Sequence, residues 1–317
     1  MMVHTWTAGT GAFRMKKNAV LKYELLILLI SAIWGTAFVA QQIGMQKGLG
    51  PLTFNTLRFA LGAVSLIPVM AFRSRFLPGT GLALGGVPLK WSLAAGFSLF
   101  AAAGMQQIGL QYTSAANSGF ITSLYVLFVP LLGLALRLRH EAPRSLWFGI
   151  SICLAGFYLL SITEGLQVSK GDGLTLVCAL LWAFQILVID HIAGKGDPIW
   201  IACLEFSVCT LLSGCAAIAF ETCDLSQVRA GAGAIAYAGI GSAGIAFTLQ
   251  VICQKRCPPA PAAVIMSLEA VFAAITGYVI LDQRLSMRGI TGCGLILLGV
   301  LVVQCVPMLV RRPRRVP

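Results

Sequence analysis

The chain is a succession of apolar stretches about twenty residues long, separated by short polar connections. Ten are read, over residues 24–44, 53–72, 91–112, 115–136, 145–163, 173–192, 199–220, 231–252, 260–281 and 289–309. In a helix, about 20 apolar residues cross the ~30 Å hydrocarbon core of a bilayer. Backbone groups in lipid need partners inside their own segment, which predicts helices. Barrel strands would alternate rather than run continuously apolar. The connections are too short to hold a soluble domain.

The pattern is written twice. Ser123-Leu124 with Phe128 and Gly133 returns as Ser267-Leu268 with Phe272 and Gly277. Gly149, Leu154 and Gly156 return as Gly292, Leu297 and Gly299, and Trp34, Pro51 and Phe59 answer to Trp182, Pro198 and Phe206. Five spans per copy is an odd number, so the second copy enters the membrane from the opposite side. The expected fold is all-α and integral to the membrane: ten transmembrane helices as two inverted-topology five-helix repeats around a central cavity. The repeats cover 24–163 and 173–309, between an N-terminal tail, 1–23, and a basic tail, 310–317. Internal repeats of this kind are typical of secondary transporters, whose site lies between the halves.

Composition agrees: 58% hydrophobic and 11% charged residues exclude an ordinary soluble domain. The 23 Lys and Arg exceed the 11 Asp and Glu. Such an excess often marks nucleic-acid binding, but its placement here fits membrane orientation. With the N-terminus inside, 17 Lys and Arg fall in inside segments and 5 (Lys47, Lys170, Arg229, Arg284 and Arg288) in outside ones, with Arg58 left in a span. This predicts a multi-pass protein of the bacterial inner membrane with both termini cytoplasmic, bound to the lipid bilayer and to no nucleic acid. Arg284 and Arg288 run against the bias. The pattern sets no oligomeric state. Residues 1–14 lack the apolar core of a signal peptide and are expected to be disordered, with Met15 before Lys16-Lys17 as an alternative start. All ten cysteines lie at or beyond Cys153 with no metal-binding spacing, and read as small apolar side chains.

Catalytic chemistry is not signalled. The three histidines, His4, His140 and His191, lie in the tail or near loops. No phosphate-binding loop or nucleophile elbow occurs, and no enzyme is expected. Three charges sit inside spans: Arg58, Glu205 and Glu269. A charge at a span centre costs about 2.5–3.5 kcal/mol on insertion scales, so each should face the bundle interior. Glu269 lies mid-span, too deep to snorkel. It reads as a substrate or proton group, or as a packing partner between helices. Arg58 and Glu205 share one repeat position, seven after Pro51 and Pro198, each about 10 Å below its own membrane face. Inversion puts those faces on opposite sides, so the two should not pair directly. Arg58 reads as a charge partner for Glu269 or an anionic solute, or as a structural arginine.

Polar and aromatic side chains recur at helical spacing. Trp34, Ala37 and Gln41 share one face, with Trp182, Gln185 and Ile189 equivalent; Ser118, Thr122 and Tyr125 line the fourth span, and Gln106 matches Gln250. Such stripes suit a small polar solute, and packing is the plainer alternative. The eighth span carries Ala230, Ala234, Ala238, Ser242 and Ala246 at four-residue spacing, a face for close helix approach.

Ile33-Trp34-Gly35-Thr36, Pro51 to Arg58-Phe59, Gln111 to Asn117, Ser267-Leu268-Glu269-Ala270-Val271-Phe272-Ala273 and Gly292 to Gly299 together resemble the drug/metabolite transporter superfamily, in its EamA-like permease branch. The likeness covers about 24–306. It implies ten helices around a central cavity, export or exchange of amino-acid-like or drug-like metabolites, and no cofactor. Two departures stand out. Ala270 replaces a frequent proline, which puts a ninth-span kink in doubt, and Arg137 to Glu141 degrades a turn better kept in Asp282-Gln283-Arg284.

The combined expectation is a secondary transporter working by alternating access, moving a small-molecule substrate outward with a coupled proton or counter-substrate. Its expected substrate contacts are Trp34, Gln106, Asn117, Tyr125, Trp182, Gln185, Gln250 and Glu269, with Arg58 as charge partner and no metal. A channel and a non-transporting scaffold are the rivals.

Overall fold

The computed structural model describes residues 17–76, 89–137, 144–161, 168–192, 197–254 and 265–310. The expected disordered tail, the turn at 138–141, the first part of the ninth stretch and the basic C-terminal tail lie outside the described residues. The helices are α1 (Lys17–Gln46), α2 (Pro51–Phe76), α3 (Leu89–Gly109), α4 (Ala115–Thr122), α5 (Tyr125–Ala135), α6 (Arg144–Ser161), α7 (Lys170–Ile192), α8 (Pro198–Phe220), α9 (Leu225–Ala230) and α10 (Ala232–Ala236). A π-helical stretch (Tyr237–Ala246) leads into α11 (Phe247–Gln254), followed by α12 (Glu269–Leu281) and α13 (Met287–Val310). No strand is formed among the described residues.

Eight stretches are long and apolar enough to cross a membrane: α1, α2, α4 with α5, α6, α7, α8, α10 through α11, and α13. Helix α3 has 21 residues. It is long enough but less apolar, because Ser92, Ser98, Gln106 and Gln107 are buried along it. The burial pattern is inverted relative to a water-soluble protein. Asn55, Gln107, Ser118, Asp172 and Glu205 are buried, while Phe148, Leu154, Leu211, Ile218, Phe220 and Val279 are exposed on outer faces. Lipid accepts apolar side chains and rejects polar ones, so polar groups turn inward.

Equivalent helices of the two halves pack against each other. A β-carbon on Gly156 of α6 would lie 2.7 Å from the carbonyl oxygen of Gly292 on α13, and one on Gly149 would lie 2.9 Å from that of Gly299. The order is reversed along the two chains, so α6 and α13 run antiparallel. Helices α2 and α8 do the same. At one end the Glu221 carboxylate accepts hydrogen bonds from the backbone N–H groups of Leu52 and Thr53, each at 2.8 Å, and caps α2. At the other end Arg73 pairs with Asp197 at 3.0 Å, and Asp197 accepts from the Ile199 N–H at 2.8 Å to cap α8.

The remaining contacts also repeat between halves. Gly96 of α3 faces Val208 and the Glu205 carbonyl of α8, and Gly239 of the eighth span faces Leu61 and the Arg58 carbonyl of α2. The small-residue faces of the third and eighth spans thus meet the opposite half. Ten positions separate Gly96 from Gln106, but eleven separate Gly239 from Gln250. The π-helical stretch between the latter pair absorbs the extra residue through its i→i+5 bonds. Alanines and a serine at strict four-residue spacing gave no sign of it.

Candidate functional site

Two helices are interrupted at the same place in each half. The fourth span breaks at Ser123-Leu124, between α4 and α5, and the ninth at Ser267-Leu268, just before α12. Leu124 and Leu268 have ψ of −12° and −10°, and their N–H groups donate three residues back, to Ile121 and Ile265, each at 3.1 Å. This 3₁₀-like tightening leaves carbonyls short of their usual donors. Hydroxyls respond: Ser123 donates to the Phe120 carbonyl at 2.6 Å, and Ser31 of α1 to the Ile265 carbonyl at 2.9 Å. The ninth-span break forms with Ala270 where a proline was looked for.

The first residues past these breaks are Tyr125 and Glu269, at equivalent positions. Glu269 opens α12, where unpaired N–H groups give the helix end a partial positive charge. Its side chain is buried, and among the described residues no hydrogen bond or ion pair reaches its carboxylate. Tyr125 lies within its electrostatic reach. Helix α1 touches this point through Gly35, whose hypothetical β-carbon would stand 2.4 Å from the Glu269 carbonyl oxygen. Arg58 forms no ion pair with Glu269 or with Glu205 among the described residues.

A second group gathers around α7. Cys178 lies beside Arg58, Thr122 and Trp182. Gln106 donates to the Thr122 hydroxyl at 3.3 Å. Gln185 donates to Glu205 at 2.5 Å. Arg58, Gln106, Gln185 and Glu205 are all buried. Thus Gln106, Trp182 and Gln185 join Arg58, Glu205 and two residues, Thr122 and Cys178, that had been read only as a stripe member and an apolar filler.

Other expected contacts are committed elsewhere. The Trp34 indole N–H donates to the Ser242 carbonyl at 3.2 Å, tying α1 to the π-helical stretch, and the Tyr237 hydroxyl bonds Thr36 beside it. Asn117 turns to the buried Asp172 carboxylate, with contacts of 3.3 and 3.4 Å. Thr113 donates to the same group. Gln283 accepts from the Ala115 N–H at 3.0 Å and donates to Gln42 at 2.8 Å. Gln250 is half-buried on α11 with no side-chain hydrogen bond among the described residues. Asp172 was not singled out in the sequence because it sits in the first turn of a helix at the edge of a span, where an acid ordinarily meets water.

This architecture of paired, interrupted apolar helices agrees with the comparisons to known proteins. The EamA-like transporter family matches twice, over residues 21–162 and 169–305. The chain belongs to the EamA-like transporter family. Among relatives of this EamA-like chain, an uncharacterized transporter of Archaeoglobus fulgidus is 30% identical over 281 residues, covering 89% of this chain and 85% of its own length. The uncharacterized transporter YoaV of Bacillus subtilis is 22% identical, covering 89% and 96%. A solved crystal structure superposes with a TM-score of 0.68 at 19% identity, over 92% of this chain and 98% of that one, a likeness of fold. The EamA-like chain is therefore a multi-pass membrane transporter of the drug/metabolite type, and its cargo is a small molecule.

Proposed function

We propose that this transporter works by alternating access as a secondary carrier, exporting a small amino-acid-like or drug-like metabolite from the bacterial cytoplasm. Ten helices are read as two inverted five-helix repeats, 24–163 and 173–309, with both termini cytoplasmic. Antiparallel pairing of α2 with α8 and of α6 with α13 supports inversion, since equivalent helices of inverted repeats point opposite ways. The ends assigned outside by charge also meet one another, as where Lys170 lies over the Tyr112 ring at 4.0 Å and Arg288 over Tyr158 at 5.6 Å.

The observation that carries the reading is Glu269: a buried, unpartnered carboxylate at a helix interruption repeated in both halves. Interrupted helices at mid-membrane depth are how carriers present backbone groups and helix ends to cargo. Tyr125 stands at the equivalent interruption of the other half, and Arg58, Gln106, Trp182 and Gln185 belong to the polar group gathered around α7. Trp34, Asn117 and Gln250 are kept in the proposed set, the first two acting from the edges through the contacts described above. Where a proton is coupled, Glu269 carries it.

The test is resistance in cells. Overproduction should protect against some members of a panel of toxic amino-acid and amine analogues, and washed cells loaded with them should show saturable efflux with counterflow. Efflux that never saturates would indicate a channel. Wild-type cells indistinguishable from the empty vector across the panel would defeat the exporter assignment.

A further inference from the structure

Between α2, α7 and α8 several buried polar atoms have no partner among the described residues. The Arg58 guanidinium is buried and donates no hydrogen bond and forms no ion pair among the described residues, and its Nε is sealed from solvent without an acceptor. The Phe59 ring lies 4.5 Å from it. Trp182 Nε1 is a second sealed donor without an acceptor. Cys178, one turn before Trp182 on α7, lies beside both. Glu205 Oε1 takes the Gln185 amide, while its Oε2 has no partner.

A buried guanidinium without a counter-ion is strongly unfavourable. Glu205 does not supply one among the described residues. What Arg58 and Trp182 lack in common is an anionic acceptor. A carboxylate matches the planar fork of the guanidinium, two oxygens to two N–H groups. Arg58 is the one cation read inside a span, so the further negative charge of a dicarboxylate or phosphate would have no counter-ion there.

We propose that Arg58 and Trp182 form a carboxylate-binding subsite that takes a small monocarboxylate solute. The assignment rests on the transporter reading and names the chemistry of its cargo. Free guanidinium in the empty carrier is then the receptor for one end of the solute, and Gln106 and Gln185 flank the remainder.

Thermal unfolding of the purified chain tests it, with propionate, benzoate and phenylacetate as probes. Their primary amides, succinate, phosphate and chloride serve as controls. At least one monocarboxylate should raise the melting temperature; its amide, succinate and the inorganic anions should not. R58Q should lower the apparent affinity for that acid about tenfold or more. R58K should keep part of it, and W182F should weaken it. Without solute, R58Q should melt no lower than wild type, because it removes an unpaired buried charge. A structural arginine would give the opposite. The subsite is overturned if amides protect as well as acids, if no monocarboxylate protects, or if R58Q responds like wild type. Protection by neutral or cationic solutes alone, unchanged in R58Q, overturns the carboxylate subsite and leaves the transporter reading standing. That reading fails separately, on the efflux measurements above.

Discussion

Trp34 and Trp182 occupy one repeat position and have opposite fates. The Trp34 indole N–H is spent on the Ser242 carbonyl, while that of Trp182 is sealed with no acceptor. W34F should therefore cost stability, about 1 kcal/mol for a lost buried hydrogen bond, read as a lower melting temperature. W182F should leave stability nearly unchanged and act on solute binding. Glu269 poses a sharper question, because its buried carboxylate has no hydrogen-bond or ion-pair partner among the described residues. E269Q keeps shape and removes charge. It should insert and fold normally but lose transport, or lose the pH dependence of transport, with E269D partly active. Flux by E269Q with unchanged rate and pH profile would reduce Glu269 to a packing residue. Gly35 sets the space beside it. G35A places a β-carbon 2.4 Å from the Glu269 carbonyl, so α1 must shift, at a cost of about 1–3 kcal/mol.

The seam between α6 and α13 is built on glycine, and its glycines are not interchangeable. A β-carbon on either Gly156 or Gly292 would meet the other's backbone carbonyl oxygen at 2.7 Å, where nothing flexible can move aside. Gly294, two residues along α13, has nothing within 4 Å of its hypothetical β-carbon. G156A or G292A should lower the melting temperature or abolish insertion. G294A should be neutral or stabilising by up to about 1 kcal/mol, the helix-propensity gain of alanine. Equal effects from all three would mean that the seam is not closely packed. Sequence alone could assign these glycines to a repeated helix, since Gly149 and Gly156 return as Gly292 and Gly299. It could not tell Gly156 from Gly294, because the distinction depends on which face meets a neighbour. The π-helical stretch was hidden for a related reason. Ala230 to Ala246 keeps four-residue spacing, and only the contacts of Gly96 and Gly239 expose the extra residue.

The apolar helices and the repeat were legible because the bilayer imposes them: apolar length, internal hydrogen bonding and charge placement each leave a mark along the chain. The site was legible in part. Charges in lipid are rare enough that Arg58, Glu205 and Glu269 stood out, yet their partners were not visible. Asn117 shows why. Its amide is taken by Asp172, brought to it by the approach of α7 to α4, and no spacing rule links the two. The arrangement as a whole makes one demand that can be checked without knowing the cargo. With the five spans per repeat proposed above, the second copy is inverted, and the 163–172 connection and the C-terminus should lie on opposite sides of the membrane. The 17-to-5 charge bias assigns the first outside and the second inside. The antiparallel seam of α6 with α13 supports the same inversion, since two five-helix repeats entering from one side would place equivalent helices parallel. Reporter fusions at Lys170 and after the last residue should therefore report opposite compartments, the C-terminal one cytoplasmic. Agreement between the two fusions would mean an even span count between them and would remove the inverted repeat, and with it the two-fold alternation on which the carrier mechanism depends.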